Sequence, residues 1–325
     1  MQPAFSVIFL TTLIGMGQGL FLAIYTEQVY SLLNVLEQSD KSEFYAIGSA
    51  IALVLLVLGL IASIFHLGRP ERAWRAATQW RTSWLSREVI ALPIFMALLA
   101  AYGLIHFMHW KIELIAIGAV VIDLSLVIGA IAMIFACLLF LATGMIYACL
   151  KFLQEWHSPL TVINYVLLGS ISGFTLATLL AAIYVPQSAD FFAGWSIALG
   201  LLAFAFRYAA LIRNRHLRPK STVQTAIGVK HNKIKQQAMG FMGGSVNTRD
   251  FFHHTSKAML KLIRYAFIVG VFFIPLALMT LFLFTPIQDF LVAAIVSQYL
   301  GLLAERWYFF ADANHPQNIY YQSIA

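Results

Sequence analysis

The sequence predicts an all-α, polytopic membrane protein of about eight transmembrane helices, arranged as two four-helix halves. Three observations carry this. Residues are 61% hydrophobic and only 11% charged, too few charges to cover a water-facing surface. Apolar runs long enough to cross roughly 30 Å of hydrocarbon recur along the 325 residues. Lysine and arginine gather in alternate loops, as the positive-inside rule expects of a chain that recrosses a bilayer.

The spans follow in order at 5–30, 44–66, 88–109, 113–150, 160–185, 191–212, 260–285 and 287–310. The first begins MQPAFSVIFLTTLIGMGQGLF, without the basic start and small-residue cleavage site of a signal peptide, so it reads as a span. The fourth would be about 57 Å long as one helix. It holds no proline and reads as a single element, with Asp123 marking a bend or the start of its membrane-spanning part. Cys137 and Cys149 lie on one helix, too far apart for a local disulfide. Residues 1–325 thus form one integral membrane domain with no room for a soluble catalytic one.

Five arginines, Arg69, Arg72, Arg75, Arg81 and Arg87, follow span 2. The loop after span 6, residues 213–259, carries nine lysines and arginines against the single acid Asp250. The other side holds Lys41 and Lys111. Both termini and both basic loops are therefore expected in the cytoplasm. Three readings compete for 213–259: an orientation signal touching anionic lipid, a nucleic-acid site, or a docking site for a soluble partner. No fold motif supports nucleic acid. The embedded GFMGGSVNTRDFFHH favours docking, with Asn247, Arg249, Asp250 and Phe251 as candidate contacts.

The halves, 1–157 and 158–325, are suggested by ordered echoes. SWLSRE at 83–88 matches SVNTRD at 245–250, HLGRP at 66–70 matches HLRP at 216–219, and Gly15 and Gly19 match Gly169 and Gly173. The repeats would be parallel, with both polar loops on one side.

Most of the polar chemistry lies in FHLGRPERAWRAATQWRTSWLSREV, residues 65–89. His66 ends span 2, and Gly68 and Pro70 stop the helix. Ser86 is a plausible cap for span 3, placing Glu88 in its first turn. There Glu88 could serve only the helix dipole, and the arginines and Trp74, Trp80 and Trp84 could be ordinary interface residues. The combination argues otherwise, because ionisable groups at membrane depth are costly. A quinone would use such a set: a flat apolar ring, carbonyl oxygens that need hydrogen bonds, and two protons exchanged with His66 and Glu88. Arg69 and Arg72 would hold negative charge developing on the ring. Gln18 could line the same pocket, though a hydrogen bond packing helices beside the glycines explains it more simply. The nine histidines offer no facing interior pair, so no haem is expected, and two cysteines are too few for an iron-sulfur cluster.

HLGRPERA followed by LSRE resembles the signature loop of the DMSO reductase anchor subunit family, and KFLQEWHSPLT, NTRDFFH and AERWYFF around Glu305 fit the same pattern. The resemblance covers nearly the whole chain. It implies a bacterial cytoplasmic-membrane subunit that binds quinone or quinol, menaquinone or ubiquinone. Its partners would be an iron-sulfur subunit and a molybdopterin catalytic subunit, and it would hold no catalytic centre of its own. His66, Glu88, Arg72 and Gly68 match that family's quinol-site positions. The long loop after span 6 and the cytoplasmic side of the His66 loop depart from the typical member and are similar to the branch serving cytoplasmic sulfite oxidation. A secondary transporter built of parallel repeats is the alternative, with Glu27 and Asp123 as intramembrane acids. Its site should lie at mid-depth, where polar groups are sparse. A scaffold with no site is the blandest reading.

Overall fold

A computed structural model describes residues 1–36, 40–117, 120–235, 237 and 250–320. Among these, seven helices are long and apolar enough to cross a membrane. They are α1 (Phe5–Leu32), α2 (Ser42–Ile64), α3 (Trp84–Phe107), α4 (Leu124–Ala148), α5 (Pro159–Tyr184), α6 (Ala189–Arg215, extended backwards by a turn from Pro186) and α8 (Lys257–Phe284). A five-residue helix, α7 (Val223–Ile227), lies between the last two. The eighth expected span, α9 (Gln288–Ala311), is 24 residues long. Asp289, Gln298, Glu305 and Arg306 interrupt its apolar run. The protein is a multi-pass helical membrane protein.

One expected element is corrected. Residues 113–150 are not one helix: Glu113–Ile117 (β1) and Val120–Asp123 (β2) pair antiparallel, with Ile115 opposite Ile122. Ile115, Ile117, Val120, Val121 and Ile122 are β-branched, stiff at χ1, and suit a strand better than a helix. Asp123 then starts α4, its carboxylate accepting from Leu126 N at 2.9 Å. Hydropathy alone could not separate this hairpin from the helix behind it.

Consecutive helices pack in an up-and-down order, and the last returns to the first: α1 on α2, α2 on α3, α3 on α4, α4 on α5, α5 on α6, α6 on α8, α8 on α9, and α9 on α1. In α1 and α5 72% of the spanning window is buried, against 28–44% elsewhere, so these two form the centre. They meet through the paired glycines. A Cβ on Gly19 would lie 2.1 Å from Gly169 O, and one on Gly173 only 1.9 Å from Gly19 C. Backbones approach this closely only where both helices lack side chains. In α8, Val269–Phe273 is a π-helical turn just before Pro275, whose missing N–H breaks the regular ladder. Gly270 there lies against Gly301 of α9, and Ser297 Oγ donates to the Gly270 carbonyl at 3.2 Å.

Up-and-down packing puts the 65–83 loop, the start of α3, the ends of α4, α6 and α9 and the start of α5 at one end. The segment beyond α6 begins there too.

Candidate functional site

Helix α2 stops at Ile64, and His66 is exposed just beyond it. Partial desolvation holds its imidazole below the ordinary 6.5, so the ring is neutral at pH 7. A side chain at Gly68 would meet open space, so packing does not demand glycine there. Pro70–Gln79 winds into a 3₁₀ helix with no buried residue. Arginines lie over tryptophans beside it: Arg75 over Trp74 at 5.6 Å, Arg81 over Trp80 at 5.4 Å and Arg87 over Trp84 at 4.1 Å. Arg69 and Arg72 are exposed, and Arg72 reaches Glu71 only at 3.9 Å, a surface pair worth little.

The expected cap is corrected. Ser83, not Ser86, caps α3, accepting from Ser86 N at 3.4 Å, because its extended backbone lets the side chain turn back over the first turn. Ser86 Oγ instead donates to Ala76 O and ties the 3₁₀ helix to α3. Glu88 is therefore the fifth residue of α3, beyond the first turn where the dipole acts most strongly.

Glu88 is half-buried, and its Oε1 accepts from Thr143 Oγ1 at 2.6 Å. Behind it lies a cavity of about 20 Å³, room for one water, bounded by Gln18, Thr143, Tyr165, Ser172 and Arg306. Gln18 does double duty: it lines this cavity and donates from Nε2 to Ala136 O at 3.0 Å, the packing bond expected of it. His66, Gly68, Arg69 and Arg72 do not line the cavity. They lie at the same end as Glu88, at the junction of the packed pair α2 and α3.

A cluster that the sequence reading left without a role lies next to it. Arg207 of α6 is 2.8 Å from Glu305 of α9, and Arg306 lies 3.1 Å from the same carboxylate. All three are buried. Arg306 also sits over the Tyr165 ring at 3.9 Å. The available signal was charge inside apolar runs, AFAFRYAAL and LLAERWYFF, which by default marks a function or a partner. Which charges pair could not be read, since Arg207 and Glu305 are 98 residues apart.

Of the docking candidates, Asn247 and Arg249 lie outside the described residues. Asp250 is exposed, and its carbonyl accepts from Gln2 N at 3.0 Å. Phe251 stacks on His315 at 3.8 Å, and its carbonyl accepts from Asn318 Nδ2 at 2.9 Å.

At the opposite end, Glu27 is wholly buried and fully answered. It takes Lys41 Nζ at 2.5 Å, Tyr45 OH at 2.5 Å, Ser31 Oγ at 3.1 Å and Ser188 Oγ at 3.2 Å. Asp123 caps α4 and accepts from Ser125, so neither acid expected under a transport reading lies at mid-depth.

A bundle of long apolar helices, with buried charges gathered towards the helix ends and an exposed arginine-rich loop at 66–81, is the build of a polytopic membrane protein. The protein belongs to the DMSO reductase anchor subunit (DmsC) family, whose model matches residues 1–305. It is 52% identical over 326 residues, the full length of both proteins, to a sulfite dehydrogenase subunit of Allochromatium vinosum. It is 30% identical over 172 residues, 53% of its own length and 56% of the relative's, to a component of the anaerobic dimethyl sulfoxide reductase of Haemophilus influenzae.

Proposed function

We propose that this protein is the quinone-reactive membrane anchor of a sulfite-oxidising complex. It would pass electrons between a bound iron-sulfur subunit, served by a molybdopterin catalytic subunit, and the quinone pool of the bacterial cytoplasmic membrane. The full-length identity to a sulfite dehydrogenase subunit favours sulfite over dimethyl sulfoxide. One observation carries the quinone reading: Glu88 stands half-buried between the exposed 66–81 loop and a small cavity that Gln18, Thr143 and Arg306 also line.

The donor set fits a quinone. A neutral imidazole, a carboxyl held by a single hydroxyl, exposed guanidinium groups and exposed tryptophans can meet carbonyl oxygens and a flat ring. The cavity takes a water and not a ring, so the ring's place is on the exposed side of Glu88. A bound quinone or quinol supplies the two-electron, two-proton redox change. His66 would bond one ring oxygen through its imidazole. Glu88 would take up or release a proton at its carboxyl, steadied by Thr143. Arg69 and Arg72 would hold negative charge, and Trp74 and Trp80 would flank the ring at the interface.

Basic loops near the His66 end support cytoplasmic termini and a cytoplasmic docking face that includes Asn247, Arg249, Asp250 and Phe251. The glycines that meet between α1 and α5, and the packing order repeated from α1–α4 in α5, α6, α8 and α9, support two halves at 1–157 and 158–325. Binding of a soluble naphthoquinone to the purified complex, followed by quenching of the loop tryptophans, tests the site. Wild type should bind, His66→Ala and Glu88→Gln should bind weakly, and equal binding by all three would sink the proposal. A reporter fused within 213–259 tests the side: a periplasmic signal would overturn the orientation.

A further inference from the structure

Behind Glu88 the interior holds more polar capacity than it uses. Tyr165 Oη, Asn164 Oδ1, Arg207 Nε and Glu305 Oε2 are buried without a hydrogen-bond partner among the described residues. The two arginines approach Glu305 closely as charges but off-axis as hydrogen bonds. Leaving a buried polar atom unanswered is costly, so a partner such as water is favoured where one fits.

All four residues line one place, a second cavity of about 20 Å³ between α5, α6 and α9. Tyr165 and Arg306 line both this cavity and the one behind Glu88. The far wall of the second cavity includes Glu155 and Asp312, half-buried carboxylates in loop and helix-end positions at the molecular surface. A polar space of this size suits a water, which needs two to four partners, and here the partners are in place. An apolar void of the same volume would stay dry.

We infer that the two cavities form a water-bridged proton route from Glu88 to the surface at Glu155 and Asp312. The Tyr165 hydroxyl and the Glu305 carboxylate form its narrow section. The inference rests on the quinone reading, because a ring seated against the 66–81 loop covers the exposed side of Glu88 and leaves the inward side as the way by which protons reach it. Charge agrees with this: Arg207 and Arg306 against Glu305 leave one positive charge, which the Glu88 carboxylate balances. The route carries protons only, one for each electron exchanged at the ring. Electrons reach the ring through the docked iron-sulfur partner. The Glu27 network at the opposite end, closed by Lys41, plays no part.

The test is hydrogen–deuterium exchange of the Glu88 carboxyl, followed by its infrared carbonyl band in the purified complex, with and without a soluble naphthoquinone. Glu88→Gln identifies the band. Tyr165→Phe keeps the ring under Arg306, and Asp312→Asn keeps a side-chain oxygen that can accept from Tyr308 OH, so both should fold. With naphthoquinone bound, each should slow exchange by about a hundredfold, the lower end of what a positioned proton-transfer group contributes. Glu27→Asp should leave it unchanged. Naphthoquinone binding with wild-type exchange rates in both variants overturns the route and leaves the quinone site standing. Absence of naphthoquinone binding overturns the site reading, and exchange without ligand then decides the route: slowed in both variants it stands, unchanged it falls.

Discussion

Glu27 and Glu88 are both acids on membrane helices, and their surroundings differ in one respect that separates structure from chemistry. Glu27 receives four hydrogen bonds, one of them from a buried ammonium group, and is closed to solvent. Glu88 receives a single hydroxyl, is only partly buried, and backs onto a cavity. A carboxylate that takes four donors, one of them an ammonium group, is fixed in place as part of the packing. One with spare capacity and access to water can exchange a proton. Burial of charge alone therefore does not mark a site; unmet capacity beside open space does.

The largest effects should fall on opposite properties at the two acids. Glu88→Gln keeps the shape and the Thr143 contact, so thermal unfolding of the complex should move little. Quinone-linked turnover should fall by about 10²–10⁴-fold, the range for loss of a general acid–base group. Normal turnover in this variant would erase the contrast. Lys41→Met should do the reverse. It strands Glu27 as an uncompensated buried charge and should cost about 3–5 kcal/mol of stability, read as loss of folded complex on heating. Turnover per folded complex should survive, and its selective loss would place the Glu27 end in the chemistry.

A smaller effect tests whether the centre between the two ends is rigid. Gly173→Ala puts a methyl into the Gly19 backbone, and overpacking of this kind costs about 1–3 kcal/mol. Gly194→Ala, where a Cβ meets nothing, is the control and should be neutral or better. Equal stability of the two variants would mean that α1 and α5 are not locked together.

Much of this is legible in the sequence. Hydropathy located the helices, and the repeated glycines picked out surfaces that do meet. Asp123 was legible as a boundary, because a capping residue acts on its own next turn. The hairpin at 113–123 was not, since a run of isoleucine and valine has the hydropathy of a span whichever way its backbone turns. His66 and Glu88 stood out by type, but the cavity behind Glu88 did not. Its walls come from five helices, and Arg306 reaches it only because Glu305 and Tyr165 hold it there. Pairings between residues so distant in sequence leave no local pattern.

The smallest expected effect concerns protonation at the exposed face. Desolvation disfavours the imidazolium, so the His66 pKa lies below 6.5 in the folded protein. The neutral ring, which can accept a proton, therefore predominates at neutral pH. Lowering the pH through that depressed pKa charges the ring and should weaken naphthoquinone binding, giving an acid limb that begins below pH 6.5. In His66→Gln the limb should vanish while weakened binding persists at every pH. Glu88→Gln should keep the limb, because its cause lies on the other side of the ring. A limb that disappears with Glu88 and survives loss of His66 would reverse the roles of the two groups. The carboxyl would then set the acid response, and the histidine would only position the ring.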